Sequence, residues 1–155
     1  MTTMEIGKEL VALCKQGKNQ EAIDRFYSPT IESVEPVAMP GMEQTQRGIA
    51  KIKGKNQWWV DHHEVHGGLA EGPFPHGDRF IVRFKHDVTP KHTGKRMTME
   101  EIGLFTVQDG KDRKRRVLLH DGVIGDSAVP SVHVNAAINA VTVNVSDKVP
   151  SYGLQ

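Results

Sequence analysis

Two polar side chains interrupt otherwise apolar rows in the middle of this sequence. His86 ends the row Phe80, Val82, Phe84, and Glu101 breaks the row Met97, Met99, Gly103, Phe105, Val107. If those rows face a common cavity, it is greasy with a few polar groups, the usual character of a small-molecule site. Such a surrounding raises a carboxylate pKa and lowers a histidine pKa, which brings both toward neutrality and suits proton transfer. His86 and Glu101 are therefore the candidate catalytic acid and base, unless they are merely hydrated positions near a turn. Phe80, Phe84 and Met99 share their rows and are the expected apolar ligand contacts. Asp87 and Glu100 alternate to the opposite face and should meet solvent.

A second cluster is Asp61-His62-His63-Glu64-Val65-His66. His62 and His66 are four apart, a spacing that can chelate zinc on a helix. The metalloprotease pattern needs two residues between Glu and the second His, and this sequence has one. Gly67-Gly68 would also fray that turn. A solvated helix end is the preferred reading, and no metal or other cofactor is expected. His63 shares the helix face of Ile52 and Trp59, so His63 and Trp59 are further candidates for the pocket. Tyr27 could donate a hydrogen bond into it.

The elements that must position these residues follow from periodicity. Thr2 and Glu5 form a capping box for a helix with Ile6, Leu10, Leu13 and Cys14 on one face and Gly17 as its stop. Asn19 can cap a second short helix bearing Ala22, Ile23, Phe26 and Tyr27, ended by Ser28-Pro29. Thr30 to Glu35 reads as a short strand and Pro36 to Gln46 as a loop. A third helix is expected from about Gly48 to Glu64, closed by Gly67-Gly68, with Lys51, Lys53 and Lys55 as a solvated face. Val65 to Ala70 begins a strand, and Gly72 to Gly77 reads as a loop. Two long strands then span Asp78 to Lys111, joined by a turn at Thr89 to Gly94, and Asp109-Gly110 marks a tight hairpin. Helices before consecutive strands give an α+β architecture with an antiparallel sheet.

Composition excludes several classes of function. The 155 residues fit one domain, and a formal net charge of +1 gives no electrostatic case for nucleic acid. The single cysteine, Cys14, excludes an internal disulfide and suits a reducing, cytoplasmic compartment. No apolar run is long enough to span a membrane.

The element order, Arg47-Gly48-Ile49-Ala50-Lys51-Ile52 opening the third helix, and the Asp-Gly hairpin after Gly103-Leu104-Phe105-Thr106-Val107 resemble the SnoaL-like branch of the nuclear-transport-factor-two-like superfamily. The resemblance covers roughly Met4 to Lys111. It implies a cone: a curved antiparallel sheet wrapped around a long helix and enclosing an apolar pocket. It implies little about activity, because the superfamily hosts cyclases, isomerases, hydrolases, dehydratases and binding modules. Its isomerases use a tyrosine, a protonated carboxylic acid and a second carboxylate, for which Tyr27, Glu101 and Glu35 are analogues by residue type. Its cyclases use a histidine and an aspartate, and His86 is similar in kind to the first.

In that branch the strand after the Asp-Gly-Lys turn usually reads Lys-Ile-Val, then acidic residues, then aromatics. Here it reads Asp112-Arg113-Lys114-Arg115-Arg116-Val117-Leu118-Leu119-His120-Asp121-Gly122. Shifted by one nucleotide, with codons chosen to fit, it becomes Ile-Val-Ser-Glu-Glu-Phe-Phe-Tyr-Thr-Met-Gly. Residues from about Asp112 onward are accordingly read as frameshift-derived, the alternative being a natural extension that covers an edge or joins a dimer. Val117 to Leu119 could still pair as a makeshift closing strand, and Val141, Val143 and Val145 as another. The expected organisation is a cone domain over 1–120 and an atypical tail over 121–155. The expected function is binding of a small apolar or carbonyl-containing molecule, with cofactor-free isomerase or cyclase chemistry. A non-enzymatic ligand-binding or dimerisation module is the alternative, and a homodimer is the expected assembly.

Overall fold

A computed structural model describes residues 1–38 and 41–121, with backbone alone for 119–121. The proposed strand at Val141 to Val145, and the tail after Asp121, lie outside the described residues.

Helix α1 (Thr3–Lys15) starts as the capping box requires. Thr2 Oγ1 accepts from the Glu5 N–H at 3.2 Å, and Glu5 Oε2 accepts from the Thr2 N–H at 2.8 Å. Helix α2 (Asn19–Phe26) has Lys18 at its N-cap, so Asn19 is its first turn rather than its cap. Tyr27 does not finish that helix but opens strand β1 (Tyr27–Val34). Pro29 sits inside β1, where a missing N–H should break pairing. It falls where β2 has not yet begun to pair and where the β1–β6 register slips between Tyr27 and Glu32, so no ladder bond is lost.

Strand β2 (Thr45–Arg47) replaces the end of the expected loop and pairs with Glu32–Val34. Three residues carry too little alternation to be read from sequence. Helix α3 (Ile49–His62) ends two residues early, because His63 is already extended at φ −127° and ψ 139°. The chain runs straight into β3 (His63–His76), so Gly67 and Gly68 lie in a strand opposite Asp87 and His86 rather than stopping a helix. The loop expected at Gly72 to Gly77 is mostly strand too, with a register shift between Glu71 and Phe74. Gly72 there has φ 120°, and a Cβ would stand 2.8 Å from the Ile81 carbonyl oxygen, so only glycine fits.

Strands β4 (Arg79–Pro90), β5 (Met97–Gln108) and β6 (Lys111–Asp121) complete a meander. Asp109 and Gly110 both have positive φ, 53° and 71°, as a type I′ hairpin turn needs. The sheet order is β2-β1-β6-β5-β4-β3. It is mixed rather than wholly antiparallel, since β6 lies parallel to β1. β4 and β5 alternate as expected: Phe80, Val82, Met99, Phe105 and Val107 are buried on one face, while Arg83 and Lys85 are exposed on the other. The helices cover that inner face. Ile6, Leu10, Ile23, Phe26 and Ile52 pack there with Ile31, Phe80, Val82 and Phe105 in one core cluster.

Candidate functional site

Beside this core lies a cavity of about 160 Å³. Its walls come from every layer. α1 contributes Leu10 and Cys14, α2 contributes Asn19, Ala22 and Ile23, and β1 contributes Tyr27 and Ser33. α3 lends Ile52, Lys55, Asn56 and Trp59, one face of a helix by their spacing. The sheet supplies Phe84, His86, Met99, Glu101, Phe105 and Arg115. His86 and Glu101 do converge on one space. Register makes them diagonal neighbours, since Phe84 faces Glu101 and His86 faces Met99 across β4 and β5.

Of the expected ligand contacts, Tyr27, Trp59, Phe84 and Met99 reach the lining, and His63 and Phe80 do not. Phe80 is fully buried and stacks on Phe105 with centroids 4.9 Å apart. His63 stacks on Trp59 at 4.8 Å, and its Nδ1–H donates to the Trp59 carbonyl at 2.8 Å. Both stand behind residues that line the cavity and hold them in place.

The cavity has two unlike ends. One is aromatic: the Trp59 ring lies 5.2 Å from the His86 ring, which is parallel to that of Phe84 at 6.3 Å. Burial is the main force pushing the His86 pKa below its ordinary value, with the Arg115 and His63 charges adding to it. The neutral imidazole, which can accept a proton, is thereby favoured.

The other end is ionic. Arg115 donates to Glu101 Oε1, and its other terminal nitrogen lies 3.6 Å from Glu35 Oε1 and 3.4 Å from Ser33 Oγ. Lys55 Nζ donates to the same Glu35 oxygen. Glu101 is thus not the lone carboxylate in an apolar wall that its row suggested. Nor is Lys55 part of a solvated face, as Lys51 and Lys53 are through Glu43 and Asp24. Arg115, which looked like one cation in a basic run, is 13% exposed, with its guanidinium 5.9 Å from the Phe105 ring centroid. Sequence reading missed Lys55 and Arg115. The spacing of Lys55 from Ile52 and Trp59 was the available signal, whereas Arg115 is placed by a register that no local pattern announces.

Below the cavity, Asp112 of β6 is fully buried opposite Tyr27, and neither carboxyl oxygen has a hydrogen-bond partner among the described residues. Desolvation pushes its pKa up to about 7. The His62–His66 cluster is dispersed. His62 donates to the Trp58 carbonyl at 2.7 Å, and His66 bonds Thr89 Oγ1 from the strand. Among the described residues no three His, Cys, Asp or Glu side chains gather as a metal site.

The model of the SnoaL-like domain matches residues 1–117. The chain belongs to this SnoaL-like family. Its structure is similar to that of a Mesorhizobium loti protein provisionally described as a SnoaL-like polyketide cyclase, with carbohydrate phosphatase given beside that description, at 47% identity and a TM-score of 0.71, covering 76% of this chain and 98% of that one. It also matches a Bacillus subtilis protein provisionally described as an isomerase, at 15% identity and TM-score 0.63, over 90% of this chain and 96% of that one. A nuclear-transport-factor-two-like protein of unknown function from Burkholderia pseudomallei matches at 15% identity and TM-score 0.60, over 74% of this chain and 88% of that one. The last two likenesses speak for the fold alone, the α+β cone. No curated protein sequence matches the chain. For this SnoaL-like domain, no described helix is long and apolar enough to cross a membrane.

Proposed function

We propose that this SnoaL-like protein binds a small, largely apolar carbonyl compound and moves a proton on it without a cofactor. The observation that carries the reading is the convergence of His86 and Glu101 on one half-open, mostly apolar space. His86, favoured in its neutral form, takes a proton from the carbon next to the carbonyl. The charge that develops on oxygen is met by the Arg115 and Lys55 end of the cavity. Tyr27, Trp59, Phe84 and Met99 hold the apolar body, and Glu101 acts through its pair with Arg115. The polyketide cyclase description of the Mesorhizobium loti relative is in keeping with such a substrate.

The test is exchange of α-protons on small ketones in deuterated water, followed by proton NMR. Wild type should exchange, and His86→Ala should lose about a hundredfold or more, the usual contribution of a positioned base. Binding without exchange would support the second reading, a non-enzymatic ligand-binding module. That reading draws on one specific observation: Glu101 is already engaged by Arg115. We further propose a homodimer in a reducing cytoplasm, consistent with the single free cysteine and with Leu69 and Phe74 exposed on the edge strand. Analytical ultracentrifugation reads the assembly directly.

A further inference from the structure

We propose that Lys55 is a covalent capture site: an aldehyde or ketone in the cavity condenses with its Nζ to give a reversible imine. The proposal rests on the carbonyl pocket argued above and adds a covalent step to it.

Three lysines stand on α3, and only Lys55 turns inward. Its side chain is 22% exposed, against 58% for Lys51 and 42% for Lys53. It shares the cavity-lining face with Ile52, Asn56 and Trp59, so a ligand lying against Trp59 is within the sweep of the amine. The two neighbours of its nitrogen are the ones such chemistry needs. Glu35 Oε1 is in contact with Nζ and can shuttle protons. The Arg115 guanidinium lies 3.6 Å from the same oxygen, which puts a second cation beside the first. A lysine withheld from water next to another cation gives up its proton more readily. Burial, and then Arg115, do lower the Lys55 pKa, while Glu35 opposes them.

The other titratable groups facing the cavity compete poorly. The Cys14 thiol on α1 is pushed up to about 11 by burial, and burial also holds the Tyr27 phenol of β1 protonated. His86 of β4 is the neutral base, and Glu101 of β5 is held by Arg115 of β6.

The step balances within the site. The Lys55 ammonium gives a proton to Glu35, and the freed lone pair attacks the carbonyl carbon. A C–N bond forms, the C=O π pair moves to oxygen, and that oxygen takes the proton back from Glu35. A second proton passes from nitrogen through Glu35 to the hydroxyl, which leaves as water. The product is a protonated imine, with the same charge as the starting ammonium, and water reverses it. A cationic nitrogen on that carbon acidifies the neighbouring C–H, which suits a neutral His86 as the base.

The full chain is incubated at neutral pH with benzaldehyde and sodium cyanoborohydride, which reduces an imine to a stable secondary amine, and labelled lysines are mapped by peptide mass. Lys55 should be modified about tenfold faster than Lys51 and Lys53, because its amine lines the cavity that holds the aldehyde while theirs stand in solvent. Lys55→Arg keeps a cation against Glu35 and should abolish the fast phase. Labelling of Lys55 at the rate of Lys51 would overturn the proposal. If benzaldehyde quenches the tryptophan fluorescence but leaves Lys55 unmodified, the imine is wrong and the carbonyl pocket stands. Neither quenching nor labelling would overturn both.

Discussion

The β4–β5 hairpin and strand β6 occupy the same sheet and face the same interior, yet they are built on opposite terms. The hairpin presents Phe80, Val82, Phe84, Met99 and Phe105 inward, with His86 and Glu101 as isolated polar positions. β6 is aligned so that Asp112, Arg115 and Val117 sit opposite Val107, Phe105 and Gly103 and share their inward face. Its outward Lys114 pairs with Glu32 at 2.7 Å. Strand pairing uses backbone groups, so a basic, polar sequence can fill a central slot of a sheet. Its side chains must still be accommodated. Arg115 is, through Glu101, Glu35 and Ser33, and Asp112 is not.

The largest expected effect is at Asp112. Its folded pKa, about 7, lies above the ordinary 3.8, so the fold favours the protonated form. The stability it contributes is therefore complete below about pH 4 and is lost as pH rises through about 7. Full expression of that shift is on the order of 4 kcal/mol. Asp112→Asn should gain on wild type as pH rises, read from urea unfolding at roughly pH 5 and pH 8. A gap between the two proteins that does not change with pH would mean that the carboxyl is not buried as described.

Next is Arg115→Leu, which leaves Glu101 facing an apolar wall while Glu35 keeps Lys55, and should cost about 3 kcal/mol. Adding Glu101→Leu should recover much of it, because removing both members of a buried pair is far milder than removing one. Additive losses in this double-mutant cycle would show that the pair is not coupled.

On the hairpin side the controlling term is space. A Cβ on Gly7 of α1 would stand 2.8 Å from Pro73 Cβ and 3.2 Å from the Phe80 ring. Gly7→Ala should therefore cost about 2 kcal/mol by overpacking, with no change in pH dependence. Thermal unfolding across pH separates that signature from the one at Asp112.

The smallest effect links the two regions. Arg115 is a secondary cause of the lowered His86 pKa, behind burial. In Arg115→Leu the His86 ring resonances should titrate slightly closer to the ordinary histidine value by NMR. No movement would mean that the ionic and aromatic ends of the cavity are electrically independent.

This contrast also explains what the sequence disclosed. Alternation in β4 and β5 announced strand, face and the two polar positions together, because a single periodic signal carries all three. The same signal placed Trp59 and Ile52 on one face of α3. It failed where context decided. β2 is too short to show a period, and β3 crosses Gly67 and Gly68 because partners on β4 hold them extended, then passes Gly72 in a register shift. In β6 two register shifts against β5 decide which side chains turn inward, so Arg115 and Asp112 could not be assigned from alternation. Lys55 was hidden among lysines of the same helix, and only its phase relative to Trp59 set it apart. The nucleotide sequence of the gene tests the shifted reading frame expected from about Asp112 onward. As the chain stands, Lys111–Asp121 forms a paired strand.

The parallel pairing of β6 with β1 has a consequence for how the molecule assembles. β1 is made early in synthesis but finds its long-range partner only in a strand some eighty residues later, as Tyr27 opposite Asp112 illustrates. Until then β1 and β2 form only a short hairpin, and β3 to β5 form a separate ribbon. Contacts of such separation slow folding and postpone it on the ribosome. The two halves of the sheet have no shared strand until β6 emerges, so the cavity, which draws on both, is the last part of the protein to exist.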